Sequence, residues 1–403
     1  MADFGAADLP GSAAPLRLAF VSHCLTPQTL AASRIGGAER AAAELLAALR
    51  RRDDVRVTPI TESAADDPLR FLAFAGRTML QLRRMARAQA LDAVLFTAMP
   101  TAWMGLALGS ALRQAGVAGA AICHGHDVIM AFAPYQALVR RTFGALNAVM
   151  PVSRATGERC LERGLDPSRM HVTPNGVDIA RFSPAPPAAE RRTILKAAFP
   201  AETAALPDDG LVLCTVGRQI RRRGHAWFVR QVMPLLPPDV HLWLVGEGPE
   251  APAIESAAAA AGVSARVRRL GAAPEAQLVA LYRGADLFVM PNIPIPDDIE
   301  GFGLVMLEAN LNGLPAIAAD LEGVAEVVTD GVNGRLARAG DAADFARIIL
   351  ALKREVPLRH SLGRRAENHA RERFGWAAVA EQHTAVLRAA LTANPSTGQR
   401  ARR

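Results

Sequence analysis

Short apolar runs, separated by loops, several of them glycine-bearing, and by stretches of helical periodicity, recur in two series along this 403-residue chain. The first series holds Leu16–Ser22, Ala93–Thr97, Ala118–Cys123 and Ala148–Val152. The second holds Leu211–Val216, His241–Val245, Val267–Leu270, Leu287–Met290 and Ala316–Ala318. Runs that are apolar throughout, rather than alternating, fit strands buried on both faces of a parallel sheet. Helical patterns between them, such as Arg40–Leu49, supply the crossovers. The expected fold class is α/β, with two doubly wound domains. The first is expected at 16–182 and the second at 211–372. Between them, 183–210 is rich in Pro and Ala, with Pro184, Pro186, Pro187, Pro200 and Pro207, and reads as a linker. Residues 1–15 and the polar, basic tail 392–403 are expected to be disordered.

Half of the residues are hydrophobic and 21% are charged, which suits two full cores and excludes a disordered chain. The longest apolar stretches, such as Ala102–Leu112, are too short to span a bilayer. Met1–Pro15 has neither a basic n-region nor an apolar h-region, so no signal peptide is expected. Cys24, Cys123, Cys160 and Cys214 are widely spaced and read as free thiols in a reducing, cytoplasmic compartment. The net charge of +7 is carried by arginine, since Lys196 and Lys353 are the only lysines. No basic stripe interleaves with aromatics, which are 5% of the chain, so no nucleic-acid partner is expected.

The most informative segment is Glu300–Asn310, E-G-F-G-L-V-M-L-E-A-N. Gly301 and Gly303 permit a tight bend, and Leu304–Ala309 reads as the first turns of a helix. A helix start offers unpaired N–H donors and the positive end of the dipole, which suits a phosphate. Glu300 and Glu308 can accept hydrogen bonds from sugar hydroxyls on either side. Eight helical steps turn about 80° off a shared face. The two carboxylates would therefore flank a bent ligand, one from the loop and one from the helix. That chemistry fits a nucleotide sugar; a capped helix with two solvated glutamates fits the same residues.

In an open α/β sheet, ligands bind at the carboxyl ends of the strands. Three motifs fall there. Val216-Gly217-Arg218, followed by Arg221-Arg222-Arg223-Gly224-His225, places guanidiniums where a diphosphate could bind, or forms a solvated basic turn. Val245-Gly246-Glu247-Gly248-Pro249 is a second glycine bend, and a lone G-x-G is weak evidence by itself. Cys123-His124-Gly125-His126-Asp127 offers histidines without the spacing or further ligands of a zinc site. Asp53-Asp54 and Asp297-Asp298 are adjacent pairs rather than a D-x-D motif, so no metal requirement is expected.

Taken in order, these motifs resemble the retaining family 4 glycosyltransferases, whose fold is GT-B: two Rossmann-like doubly wound domains facing each other across a cleft. The resemblance runs from about Leu16 to Leu387 and is strongest in the second half. It rests on Gly36-Gly37-Ala38-Glu39-Arg40, Pro174-Asn175-Gly176-Val177-Asp178 with Phe182 and Pro184, and Val216-Gly217-Arg218 with Gly224. It continues through Gly246-Glu247-Gly248-Pro249, Leu270-Gly271, Ala285-Asp286, Glu300–Leu304 with Glu308-Ala309, and Gly313-Leu314-Pro315. Glu326-Val327-Val328 and Asp330-Gly331-Val332-Asn333-Gly334 complete the series.

The resemblance implies transfer of a hexosyl unit from a UDP- or GDP-linked sugar to a hydroxyl of a glycan or lipid-linked acceptor. It implies that the anomeric configuration is retained, and that no cofactor is needed beyond the donor. Glu308 would hold the ribose hydroxyls and Glu300 would face the transferred sugar. Backbone N–H groups near Gly303–Val305, Leu304 included, would hold the β-phosphate, and Gly301 and Phe302 would belong to the same donor-binding segment. Arg218 would bind the diphosphate, with Arg223 at a position where the family has lysine; Arg221 and Arg222 remain alternatives. His124 would stand near the transferring carbon, with His126 as the alternative register. Gly37 would let the first-domain loop approach the phosphates, Leu270 would lie among the largely backbone contacts to the nucleobase near Val267–Gly271, and Gly246 would also bind the donor. Trp376 would open a final helix, 373–391, that crosses back to the first domain.

Two further segments bear on substrate choice. Asn292–Ile299 reads as a stiff loop over the sugar site, or as a structural excursion. Arg70–Arg87 combines Phe71, Leu72, Phe74, Met79, Leu80, Leu82 and Met85 with Arg77, Arg83, Arg84 and Arg87. Such a basic amphipathic helix fits either an anionic membrane at the inner face of the cytoplasmic membrane or ordinary packing on the sheet. A membrane contact would point to a lipid-linked acceptor in lipopolysaccharide, exopolysaccharide or glycolipid assembly. The rival functions are a GT-B nucleotide-sugar epimerase and a non-catalytic nucleotide-sugar-binding protein. A pyridoxal-dependent phosphorylase is disfavoured by the placement of the two lysines.

Overall fold

The computed structural model describes residues 14–25, 37–62, 67–204 and 206–393. Gly36, residues 1–13 of the N-terminal stretch and residues 394–403 of the tail lie outside the described residues.

The first half runs β1 (Leu16–Ser22), α1 (Gly37–Arg50), β2 (Val55–Thr61), α2 (Pro68–Arg87), β3 (Ala93–Phe96) and α3 (Met99–Gln114). It continues with β4 (Ala118–Cys123), α4 (His126–Ile129), α5 (Ala133–Ala145), β5 (Ala148–Pro151) and α6 (Arg154–Glu162). Its five strands are parallel, in the order β2-β1-β3-β4-β5.

The second half begins with α7 (Ala188–Ala198), α8 (Pro200–Thr203), β6 (Leu211–Val216), α9 (His225–Gln231), β7 (Val240–Val245) and α10 (Ala251–Ala260). Then come β8 (Val267–Gly271), α11 (Glu275–Gly284), β9 (Leu287–Met290), α12 (Leu304–Leu311), β10 (Ala316–Asp320) and α13 (Glu322–Val327). The chain closes with β11 (Gly334–Arg338), α14 (Ala342–Arg354), α15 (Val356–Phe374) and α16 (Trp376–Thr392). Six parallel strands lie in the order β11-β10-β9-β6-β7-β8. Strand order reverses at β6 and β9, so the crevice of this sheet opens between the loops that follow them.

The central strands coincide with the apolar runs, because both faces of β3, β4, β6 and β9 are buried. β2 and β11 carry no such run. Both are edge strands and are partly solvent-facing; β2 accommodates Pro59, and β11 carries Arg335 and Arg338.

Segment 183–210 differs from the expected linker. Its alanines build α7, and Pro200 opens α8 as its first residue. Leu195 is fully buried, and a Cβ on Gly284 of α11 would lie only 2.7 Å from its Cβ. Phe199 packs edge-on against Trp243 of β7, ring centroids 5.5 Å apart. The segment is therefore part of the second domain's core.

The chain passes between the halves twice, and the crossings are tied together. Val177 N–H donates to the Phe374 carbonyl at 2.7 Å. The Trp376 indole lies so close to the backbone that a Cβ on Gly176 would be 2.5 Å from the ring. Its Nε1–H donates to Glu44 of α1. From there α16 packs against α1, β4 and β5 of the first domain. Among the described residues, no helix is long and apolar enough to cross a membrane.

Candidate active site

Both halves contribute to one cleft, and the loop 291–303 after β9 lies at its centre. Ile299 is buried among first-domain residues that include Phe96, Cys123 and Val128. Gly301 meets the His124 backbone so closely that a Cβ would overlap the His124 carbonyl oxygen. Gly303 has φ +98°, a left-handed conformation that favours glycine, and faces the ends of the Met306 and Met290 side chains. It opens α12 with no side-chain cap, so the N–H groups of the first turn have no capping side chain. Gly37 stands opposite: a Cβ there would touch only Leu304 Cδ1, at 3.8 Å.

Glu300 and Glu308 are both buried, and arginines neutralise both. Arg222 Nε lies 3.3 Å and Arg223 Nε 3.1 Å from Glu300 Oε2. Arg222 Nη1 also donates to Asp298 Oδ1 at 2.7 Å, which ties the loop after β9 to the loop after β6. Arg221 is exposed, whereas Arg222 and Arg223 are half-buried and face the site. Glu308 Oε1 accepts from Arg40 of α1 at 3.0 Å and from Arg181 at 2.7 Å, and Oε2 accepts from Tyr282 at 3.1 Å. Burial, reinforced by the Glu308 charge, pushes the Tyr282 hydroxyl well up, so it stays protonated as the donor.

Arg218 is exposed at the carboxyl end of β6, and its guanidinium makes no ion pair among the described residues. Arg221, also exposed, likewise makes no ion pair among the described residues. Gly246 and Leu270 lie at the ends of β7 and β8. Gly246 N–H donates to the Gly271 carbonyl at 2.7 Å, and its own carbonyl accepts from Gln219 at 2.8 Å. Leu270 and Val305 are partly buried against the core. Phe302 is buried and packs edge-on to Phe374, centroids 6.0 Å apart, so its ring serves the core.

Of the two histidines, His124 lies in the cleft and His126 is exposed at the start of α4. His124 Nε2 is 2.9 Å from the Thr97 carbonyl, which can only accept, so Nε2 is the donor of this bond. Asp127 holds the loop by accepting from His124 N–H at 2.8 Å and Met99 N–H at 3.1 Å. His124, Thr97, Asn175, Trp376 and His383 together line a cavity of about 10 Å³. Burial lowers His383 to about 4, so the neighbouring ring is neutral.

Several site residues carry no sequence signal of their own. Arg40 and Arg181 are separated from Glu308 by 268 and 127 positions, and only the fold brings them onto its carboxylate. Tyr282 reads as an ordinary apolar helix position. Among the described residues, no group of three or more His, Cys, Asp or Glu could hold a metal ion.

Comparison with known proteins gives this geometry a family. Residues 210–355 match the family model described as glycosyl transferases group 1, and residues 35–181 match glycosyltransferase family 4. The D-inositol 3-phosphate glycosyltransferase of Nocardia farcinica is 34% identical over 228 residues, covering 54% of this chain and 47% of that protein. The GDP-mannose-dependent alpha-(1-6)-phosphatidylinositol monomannoside mannosyltransferase of Mycolicibacterium smegmatis is 32% identical over 252 residues, covering 60% of this chain and 64% of that protein. The chain thus spans about half the length of the first of these curated relatives. Anabaena HepE, solved in complex with UDP, superposes with a TM-score of 0.71 at 20% identity, covering 93% of this chain and 100% of that one. Sucrose-phosphate synthase from Thermosynechococcus elongatus gives 0.72 at 20% identity, covering 94% and 100%. The two family matches take one domain each, the paired parallel sheets match these neighbours, and the chain belongs to the family 4 glycosyltransferases of GT-B fold.

Proposed function

We propose that this glycosyltransferase moves a hexosyl unit from a UDP- or GDP-linked sugar to a hydroxyl of a glycan or lipid-linked acceptor, retaining anomeric configuration and needing no metal ion. One observation carries the reading: two buried carboxylates flank an uncapped helix start at the crevice of the second sheet, and Arg218, without an ion pair among the described residues, stands on the loop after β6 at the same crevice. In this reading Glu308 takes the ribose hydroxyls, the α12 N-terminus and Arg218 take the diphosphate, and Glu300 faces the sugar. Arg223 would add a second cation as negative charge develops on the leaving group. The acceptor oxygen bonds to the anomeric carbon as the bond to the diphosphate oxygen breaks, and the acceptor proton passes to the departing phosphate. Glu300 is already engaged by two guanidiniums, which supports an orienting role over nucleophilic attack. The relatives from Nocardia farcinica and Mycolicibacterium smegmatis, a D-inositol 3-phosphate glycosyltransferase and a phosphatidylinositol monomannoside mannosyltransferase, support a polyol or lipid-linked acceptor. A HepE complex with UDP-glucose supports a nucleotide-hexose donor.

Thermal shift against UDP-, GDP- and ADP-linked sugars tests the donor site, because a ligand bound only by the folded state raises the melting temperature. One base should stand out. Arg218→Ala should weaken that nucleotide roughly 10- to 100-fold, the effect of about 1.5–3 kcal/mol for a hydrogen bond to a charged group. The unliganded melting temperature should not move. No shift with any nucleotide, or an undiminished shift in the variant, would sink the assignment. Isomerisation of the donor without acceptor would favour the epimerase, and NMR of the product's anomeric proton tests retention.

Peripheral contact with an anionic membrane, at the inner face of the cytoplasmic membrane, is part of the same proposal. α2 buries Phe74, Ala75, Thr78, Leu82 and Ala86 and exposes Leu69, Leu72 and Leu80 beside Arg83, Arg84 and Arg87. Apolar side chains standing out among cations suit the headgroup boundary of anionic lipid. The protein should co-sediment with vesicles containing phosphatidylglycerol and not with phosphatidylcholine alone. Leu72→Ser with Leu80→Ser should abolish that at unchanged melting temperature; equal binding by the variant would rule the surface out.

A further inference from the structure

α13 joins the loop that carries Glu300 to the opposite domain, and both joints are carboxylates. At its start, Glu322 Oε2 accepts the Glu300 N–H at 2.7 Å, and Gly323 N–H donates back to the Glu300 carbonyl at 3.2 Å. Glu300 is thus clamped through both of its backbone groups by two successive residues. Gly323 abuts the next peptide so closely that a Cβ would overlap the Gly301 carbonyl oxygen. Glu322 makes this contact from φ +51°, a left-handed conformation that a non-glycine residue adopts at a cost. At the other end of α13, Glu326 Oε2 accepts from Arg154 N–H at 2.7 Å and Oε1 from Ala155 N–H at 2.8 Å. These are the first two residues of first-domain α6, whose own cap Ser153 satisfies only Thr156 N–H, at 3.0 Å. A carboxylate at a helix start makes charge-assisted bonds and meets the positive dipole end. Between the two joints, Val324 and Val327 are fully buried, which anchors the strut in the second domain.

We infer that Glu322 and Glu326 are positioning residues for the transfer reaction: docking of α6 onto Glu326 is transmitted along α13 to Glu322, which sets the backbone of Glu300. The inference rests on the reading of Glu300 as the carboxylate facing the sugar. It makes Glu300 correctly placed only when the domains meet, so donor turnover is coupled to closure.

Four variants test it on the full chain. Glu322→Gly removes the carboxylate while relieving the left-handed strain, so its melting temperature should not fall. Its kcat should drop roughly 10- to 100-fold, as expected for a reacting group displaced by about an ångström. Nucleoside diphosphate affinity should stay at the wild-type value, because Glu322 is not part of the proposed nucleotide site. Glu322→Gln keeps an oxygen that accepts the Glu300 N–H and should restore kcat to within a few-fold of wild type. Glu326→Ala should lower kcat with the same unchanged nucleotide affinity, and Glu322→Gly combined with Glu326→Ala should be no worse than Glu322→Gly, since the two act through one element. Wild-type kcat in Glu322→Gly, no rescue by glutamine, or multiplicative losses in the double variant would each overturn the inference. Glu300→Ala separates this from the underlying reading: if it keeps wild-type turnover, the role given to Glu300 is what fails.

Discussion

Glu308→Ala should abolish the rise in melting temperature given by nucleoside diphosphate and should also weaken the unliganded protein. Two effects coincide at this side chain. As the proposed ribose ligand, it would accept hydroxyl donors at about 1.5–3 kcal/mol each, so losing two such bonds lowers affinity by roughly 100-fold or more. In the unliganded structure the same oxygens hold Arg40 and Arg181, and Tyr282 donates to Oε2 from a fully buried position. Truncation leaves that phenol without its acceptor and two cations without a counter-charge, although Arg181 keeps Glu275. A buried donor left unsatisfied costs about 1–3 kcal/mol. Glu308→Gln preserves the volume and one acceptor, so it should recover much of the stability and little of the nucleotide affinity. Calorimetric titration with the preferred nucleoside diphosphate, beside unfolding of the unliganded variants, separates the two. Unchanged nucleotide affinity in Glu308→Ala would remove Glu308 from the donor site.

Arg40 shows what was legible in the sequence and what was not. It ends the glycine-loop motif that supports the resemblance, yet nothing in its surroundings says that it reaches across the cleft to Glu308. Local signals fix which residues sit at the carboxyl end of a strand, since a fully apolar run ending in Gly217 or Gly246 is readable directly. Pairing across 268 positions depends on how the two sheets face each other, and no local pattern encodes that. The same limit explains β2 and β11, edge strands whose sequences alternate or carry arginines because one side meets solvent. It also explains 183–210, where proline content reads as a linker but proline at a helix start is compatible with the packed α7 and α8. Glu322 was the least accessible of all. Its role depends on a left-handed backbone at a non-glycine residue, which propensity argues against.

Gly301→Ala should reduce kcat by roughly 100-fold or more while leaving nucleoside diphosphate binding close to wild type, since a misplacement of about 1 Å is enough for such a loss. The added methyl would overlap the His124 carbonyl oxygen of the first domain. It cannot be relieved by moving the loop backwards, because Gly323 already abuts the Gly301 carbonyl and the Glu300 N–H is held by Glu322. The remaining relief is to part the domains at this point. That would withdraw Ile299 from its first-domain pocket and disturb His124, whose loop is fixed by Asp127. Overpacking of this kind costs about 1–3 kcal/mol, so the protein should remain folded at ambient temperature with a lower melting temperature. Residues proposed to hold the nucleotide, Arg218 and Glu308 among them, lie on the second domain and need not move. Small-angle scattering with saturating nucleoside diphosphate should therefore give a larger radius of gyration for Gly301→Ala than for wild type. Gly144→Ala in α5, outside the cleft, is the matched control, because no atom of the described residues outside its own helix lies within 4 Å of its added methyl, and its kcat should stay within a few-fold of wild type. Equal kcat in Gly301→Ala and wild type would mean that the close approach of Gly301 to His124 is not required for transfer, and that chemistry proceeds from a more open cleft.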